Sequence, residues 1–188
     1  MMVDNCKTDA RIHAAFSFFQ TVIKLKDVER AGWVEYNVPR PESVADHSFG
    51  VVLLALLFAK IAPNNLDCKR CLYMALLHDA AESLVGDITP TAGMSDNEKM
   101  AREEAAMKEL AQMAGDSEAL ILWKEFEAGL TNEAQFVRDL DLIELGCQSI
   151  EYRRIGKLSE MEAKIFLDSA RPKLLTDFGR IIWSRVLE

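Results

Sequence analysis

Leu76-Leu77-His78-Asp79-Ala80-Ala81-Glu82 sets an imidazole and two carboxylates at the end of an apolar helical stretch. Packing alone gives no reason for such a placement, whereas a borderline divalent metal takes imidazole and carboxylate donors together. On a continuous helix, Glu82 shares a face with His78 and Asp79. The chain holds three histidines, His13, His47 and His78, and His47 follows an aspartate in Val44-Ala45-Asp46-His47. Two histidines in acidic surroundings point to a metal-dependent hydrolase. His13 has no acidic neighbour on its face and reads as an ordinary surface or core residue.

Outward from this stretch the pattern is helical. Ile12, Ala15, Phe16, Phe19, Val22 and Ile23 recur at three-and-four spacing, which predicts a helix over Asp9 to Lys26 with one buried face. Asp27 to Ser43, broken by Gly32, Pro39 and Pro41, reads as an irregular stretch of the kind that carries function. Helix resumes at Val44 and runs to Ile61, ahead of Pro63-Asn64-Asn65. Asp67 caps a further helix, expected to continue to Val85 and stop at Gly86.

Asp87 to Met94 is loop. Ser95-Asp96-Asn97-Glu98 and Ser159-Glu160-Met161-Glu162 are capping boxes. Between them, one helix starts at Asp116 or Ser117 and ends near Gly129. A long one opens at Thr131 or Asn132 and runs through Val137, Leu140, Ile143 and Leu145. Pro172 suits the first turn of a final helix. No segment alternates with period two, so the expected fold is all-α. It is read as a single domain over residues 1–188 with seven or eight helices.

Hydrophobic residues make up 49% of the 188 residues, and the net charge is −8. That balance argues against a nucleic-acid polymer or an anionic membrane as partner. A small anion remains within reach of a local arginine fork. The apolar run Phe49 to Ala59 is too short to span a bilayer. Cys68-Lys69-Arg70-Cys71 has the spacing of half a zinc knuckle, but Cys6 and Cys147 supply no second half. Buried free thiols in a reducing cytoplasm, with no signal peptide, are the expectation.

A mononuclear metal site needs ligands beyond His78 and Asp79. His47 is the evident nitrogen donor. In Val137-Arg138-Asp139-Leu140-Asp141-Leu142-Ile143-Glu144, the apolar stripe pulls Asp141 inward and leaves Asp139 and Glu144 further off. Asp141 is the better candidate for the fourth ligand.

His47, His78-Asp79 and Asp141, in this order on helices, resemble the HD-domain metal phosphohydrolases. Three runs narrow the likeness to the HD-domain 5′-deoxynucleotidases: Arg30-Ala31-Gly32-Trp33, Arg40-Pro41-Glu42-Ser43-Val44-Ala45-Asp46-His47 and Gly86-Asp87-Ile88. The likeness is continuous from about Phe16 to Gly146, with further helices over about 158–188. It implies removal of phosphate from deoxyribonucleoside 5′-monophosphates by a homodimer using one divalent transition metal. Manganese or cobalt is expected first, with zinc, iron or nickel as alternatives. It also implies His47, His78, Asp79 and Asp141 as ligands, with Glu82 and Asp87 near the nucleophilic water. Arg30 falls at the phosphate, with Arg40 as a second fork, and Trp33 beside the sugar.

Which of Glu82 and Asp87 moves the proton stays open at this level, and Trp33 reads equally well as a hydrophobic plug under its loop. Thr89-Pro90-Thr91-Ala92-Gly93 lacks a lysine that some bacterial members carry after Gly-Asp. The hydroxyls of Thr89 and Thr91 are weak substitutes. Two alternatives keep the site: a hydrolase of guanosine tetraphosphate or cyclic nucleotides, and a nucleotide-binding regulator without turnover.

Overall fold

Residues 5–63, 65–89 and 93–186 are described by a computed structural model. The expectations for Asn64 and for Pro90, Thr91 and Ala92 lie outside the described residues, as does the side chain of Cys6. The helices are α1 (Asn5–Val22), α2 (Ala31–Glu35), α3 (Val44–Phe58), α4 (Cys68–Leu77), α5 (Glu82–Val85), α6 (Asp96–Ala114), α7 (Glu118–Ala128), α8 (Asn132–Arg154), α9 (Glu160–Ala170) and α10 (Asp177–Val186). Eight of them have seven residues or more, and no strand occurs among the described residues. Only an isolated antiparallel bridge, Glu29 with Ser43, closes the segment around α2.

The caps form where the local chemistry places them. Asp67 accepts from the N–H groups of Lys69 and Arg70, and Thr131 from Ala134. Ser95 with Glu98 and Ser159 with Glu162 make complete capping boxes. Ser43 and Asp46 form a third, so Asp46 is committed to the N-terminus of α3.

Three expectations fail. The helix expected to run unbroken from Asp67 to Val85 ends at Leu77, and the chain passes through a tight turn before α5. In that turn Ala80 N–H bonds Leu77 O at 3.0 Å and Glu82 N–H bonds Asp79 O at 3.0 Å, a 3₁₀-like winding. The carbonyl of His78 leaves the helical ladder and accepts the indole N–H of Trp123 at 3.1 Å. Pro172 sits in a separate 3₁₀ turn, Arg171–Lys173, and the final helix starts five residues later. The predicted buried face of α1 is the third. Ile12, Phe16 and Phe19 are 51, 61 and 55% exposed, because only its other flank meets α6.

α8 runs through the centre and packs on α3, α4, α7, α9 and α10. Val51, Met74, Phe126, Val137, Leu140 and Trp183 build the main core between these helices. A second cluster joins Leu77, Ala80 and Ala81 to Met107, Leu110 and Trp123. A third holds Trp33, Tyr152 and Phe166. The His78-Asp79 turn lies on the seam between the first two.

Candidate active site

The first turn of α3 and the turn after α4 bring donor atoms of His47, His78 and Asp79 together, and the middle of α8 sets Asp141 beside His47. His47 Nε2 lies 3.1 Å from Asp141 Oδ1, 3.7 Å from Asp79 Oδ2 and 3.4 Å from His78 Nε2. His78 Nε2 is 3.1 Å from Asp79 Oδ2. The tight turn points both members of the pair at one spot. The other nitrogen of each ring is engaged from behind: His78 Nδ1 is 2.8 Å from Ala75 O, and His47 Nδ1 is 2.5 Å from Glu144 Oε2. Such partners fix the tautomer and aim Nε2 at a metal.

The donor set fits a divalent ion. Asp79 Oδ2 is buried and makes no well-formed hydrogen bond, only ion-pair contacts to His78, Arg30 and His47, which leaves it open to a cation. His47, His78, Asp79 and Asp141 are the residues that could hold it, with two nitrogens and two carboxylates suited to a transition metal. Burial and the charge of Arg30 oppose a proton on His47, but hydrogen bonds to Asp141 and Glu144 outweigh them and push its pKa up to about 10. Burial works against the charge of Asp79 too, yet His78, Arg30 and His47 hold its carboxyl far below the usual range.

Glu144 and Asp139, placed further than Asp141 from the apolar stripe, are buried all the same, at 8% and 0% exposure. Asp139 is spent on structure. It accepts from Leu175 N at 2.6 Å and from the N–H and hydroxyl of Thr176 at 2.8 and 2.6 Å, anchoring the start of α10. Glu144 is a site residue that periodicity missed, and its position one turn after Asp141 on α8 is the signal that could have found it. Gly50 makes room for it: a Cβ there would stand 2.8 Å from Glu144 Cγ and Oε1.

A cleft of about 680 Å³ opens over the donors and is lined by Arg30, His78, Asp79, Glu82, Asp87 and Asp141, with α6 as a wall. Arg30 Nη1 lies 3.5 Å from Asp79 Oδ2 and 3.9 Å from Asp87 Oδ2. Burial opposes its charge, and the carboxylates of Asp79, Asp141, Asp87 and Glu82 keep it firmly protonated. Asp87 also accepts the N–H of Ala31 at 2.8 Å, so it ties the loop after α5 to the start of α2. Glu82 is 5% exposed and its Oε2 has no hydrogen-bond partner. Burial, then the charges of Asp79 and Asp87, push its pKa up to about 10.

Two expected contacts lie elsewhere. Trp33 is 1% exposed and does not line the cleft. It packs edge-on to Tyr152 at 5.1 Å and against Phe166 at 4.3 Å, and its indole donates to Glu42 Oε1 at 2.8 Å. The plug reading of this residue is the one its surroundings match. Arg40 is exposed at φ 49° and away from the cleft, its carbonyl accepting from Lys157 Nζ at 2.8 Å. Thr89 donates to Glu35 Oε1 at 2.5 Å. His13 is exposed on α1, beside Ser17.

With fold and geometry in place, comparison with known proteins agrees. The family model described as HD domain matches residues 22–181, and the chain belongs to the HD domain family. Membership implies a divalent metal and a hydrolase. Among curated relatives, 5′-deoxynucleotidase HDDC2 of Homo sapiens is 42% identical over 163 residues, covering 83% of this chain and 76% of the relative. Among solved structures, a conserved hypothetical protein from Pyrococcus furiosus superposes with a TM-score of 0.77 at 30% identity, covering 91% of this chain and 98% of that one. A predicted metal-dependent phosphohydrolase from Magnetospirillum magnetotacticum gives 0.72 at 25% identity, covering 96% and 94%.

Proposed function

We propose that this chain is a metal-dependent 5′-deoxynucleotidase, a single HD domain that cleaves deoxyribonucleoside 5′-monophosphates to deoxynucleoside and inorganic phosphate. The observation that carries this reading is the grouping of His47, His78 and Asp79, with Asp141 beside His47, next to a buried arginine and the buried carboxyl of Glu82. Manganese or cobalt fits the mixed nitrogen and oxygen set better than magnesium, which prefers an all-oxygen shell. When bound, the ion supplies a Lewis acid beside the phosphoryl group and acidifies water at the site.

Arg30, locked between two carboxylates, presents its remaining N–H groups to phosphate oxygens. Burial and the negative field around it raise Glu82; a dication beside Asp79 would offset part of that field, so that the carboxyl ionises and takes a proton from the attacking water as the new P–O bond forms. A proton passes to the 5′-oxygen as the old P–O bond breaks. Asp87 is already engaged with Ala31 and Arg30, which favours Glu82 for the proton and leaves Asp87 to hold the arginine. Trp33 acts through Glu42 and packing rather than by touching the sugar.

A homodimer completes the reading. Phe19, Phe49 and Leu76 line an apolar groove between α1, α3 and α4, and Phe16, Leu53 and Leu57 stand exposed on α1 and α3. A contiguous apolar face of this kind is what a second copy covers. No helix among the described residues is long and apolar enough to cross a membrane. The cytoplasm is the compartment this reading assigns, in keeping with the free thiols of Cys68 and Cys71.

The test is phosphate release from paired ribo- and deoxyribonucleoside 5′-monophosphates with manganese, cobalt, zinc and magnesium in turn. Release from the deoxy series with manganese or cobalt is expected, and Asp79→Ala removes both metal and activity. Equal release from both sugars refutes deoxy selectivity; no release with any metal refutes the enzyme.

A further inference from the structure

We propose that Lys99, on the wall that α6 gives to the cleft, is a second cationic contact for the substrate's phosphate. The inference rests on the phosphomonoesterase reading and assigns that site another binding residue. Asp96, Lys99, Met100 and Glu103 recur at steps of three and four on α6 and all line the cleft. No basic residue occurs between Asp87 and Lys99, so the loop after α5 contributes no cation of its own.

The charge balance favours a further cation. Seven acidic side chains line the cleft, against Arg30, Lys99, Arg138, Lys173 and the one dication that the donors would hold. A dianionic phosphate entering this field is repelled unless cations meet it. Arg138 is occupied at the end of α7, where its Nη1 donates to Phe126 O at 3.2 Å and Glu127 O at 2.9 Å. Arg30 shares its charge with Asp79 at 3.5 Å and Asp87 at 3.9 Å, and so offers phosphate only part of its field.

Lys99 makes a single contact, of similar length to those of Arg30. Its Nζ lies 3.6 Å from Glu103 Oε1, beyond a good hydrogen bond, with the side chain 36% exposed. Partial burial disfavours its charge, but Glu103, Glu82, Asp87 and Asp79 more than compensate, so the ammonium is secured and faces the reaction centre's acids. A flexible four-carbon stem lets it leave Glu103 for a phosphate oxygen.

Inorganic phosphate, the product of any phosphomonoester hydrolysis, is the probe. It is titrated calorimetrically into manganese-loaded wild type, Lys99→Gln, Lys99→Arg and Lys108→Gln, the last on the same helix but outside the cleft. Lys99→Gln is expected to weaken phosphate binding about 5–20-fold, the lower range for a charge-assisted hydrogen bond at a half-exposed site. KM for a deoxynucleoside monophosphate rises by the same factor, kcat moves less than about threefold, and Lys99→Arg restores most of the loss.

Affinity for phosphate unchanged within twofold in Lys99→Gln, or an equal loss in Lys108→Gln, overturns the assignment. So does a wild type that binds no phosphate. Wild type that binds phosphate through Lys99 but hydrolyses no monophosphate refutes the deoxynucleotidase reading and leaves the phosphate contact standing.

Discussion

Gly50→Ala separates the metal site from the fold. A Cβ at position 50 would sit 2.8 Å from Glu144 Cγ and Oε1 and 3.2 Å from Cδ. Carbon atoms rest at about 3.5–4.0 Å, so the Glu144 side chain has to withdraw by roughly 1 Å. Alanine improves helix propensity by about 1 kcal/mol over glycine, which offsets part of the cost of drawing the buried Glu144 away from His47. The metal-stripped variant therefore stays folded but unfolds somewhat below wild type.

The loss falls on His47, whose Nδ1 is 2.5 Å from Glu144 Oε2. Partners behind a metal-ligating histidine are worth about 10–100-fold in metal affinity, or roughly 1.4–2.8 kcal/mol. Manganese affinity, read by competition with a chelating dye, should fall by that factor, with thermal unfolding of the stripped protein as the parallel measurement. Affinity within twofold of wild type, with the fold intact, refutes the idea that Glu144 aims His47.

Glu82→Gln should keep its metal and lose about 10²–10⁴-fold in phosphate release, the usual scale for general acid–base help; a full loss in Asp87→Asn with Glu82→Gln still active reverses the two roles. Asp139→Ala removes three hydrogen bonds that anchor α10, at a cost of about 3 kcal/mol or more. Limited proteolysis should then cut near residues 174–177 before the rest of the chain; an unchanged digestion pattern and melting point contradicts the anchor. Metal-stripped protein should lose stability as pH rises from 6.5 to 10. His47 is raised in the fold from 6.5 to about 10, so its contribution is complete below 6.5 and gone above 10. Glu82, also raised to about 10, works in the same direction, since the unfolded carboxyl ionises freely above its ordinary range. Thermal melts of the stripped protein across that range check this, and a midpoint that rises with pH contradicts it.

Caps could be read because each depends on local chemistry: Asp67, Ser95, Thr131 and Ser159 cap the helices expected of them. Of the proposed ligands, His47, His78 and Asp79 lie together, with Asp141 beside His47. The break after Leu77 was hidden because Ala80 and Ala81 are good helix formers; the departure goes with a tertiary contact, the Trp123 indole on His78 O. Glu144 and Asp139 defeated the apolar-stripe argument because a buried carboxylate follows its partner, here a histidine ring and the N-terminus of α10, rather than the hydrophobic period. Trp33 and Arg40 have residue types suited to ligand binding. Their final places depend on how the loop around α2 folds onto α8 and α9, which spacing alone does not reveal.

The seam that carries His78 and Asp79 has a mechanical meaning. Ala80 and Ala81 belong to one hydrophobic cluster, while Val51, Met74 and Leu140, from the helices that carry or adjoin the other ligands, belong to another. A cation held by the proposed ligands would therefore be a rivet between two clusters that already share α4 and α7. Its grip scales with the free ion concentration, since whatever binds only the folded state adds to its stability by mass action. Metal supply in the surroundings would then set the stability of the fold together with the rate of the proposed reaction.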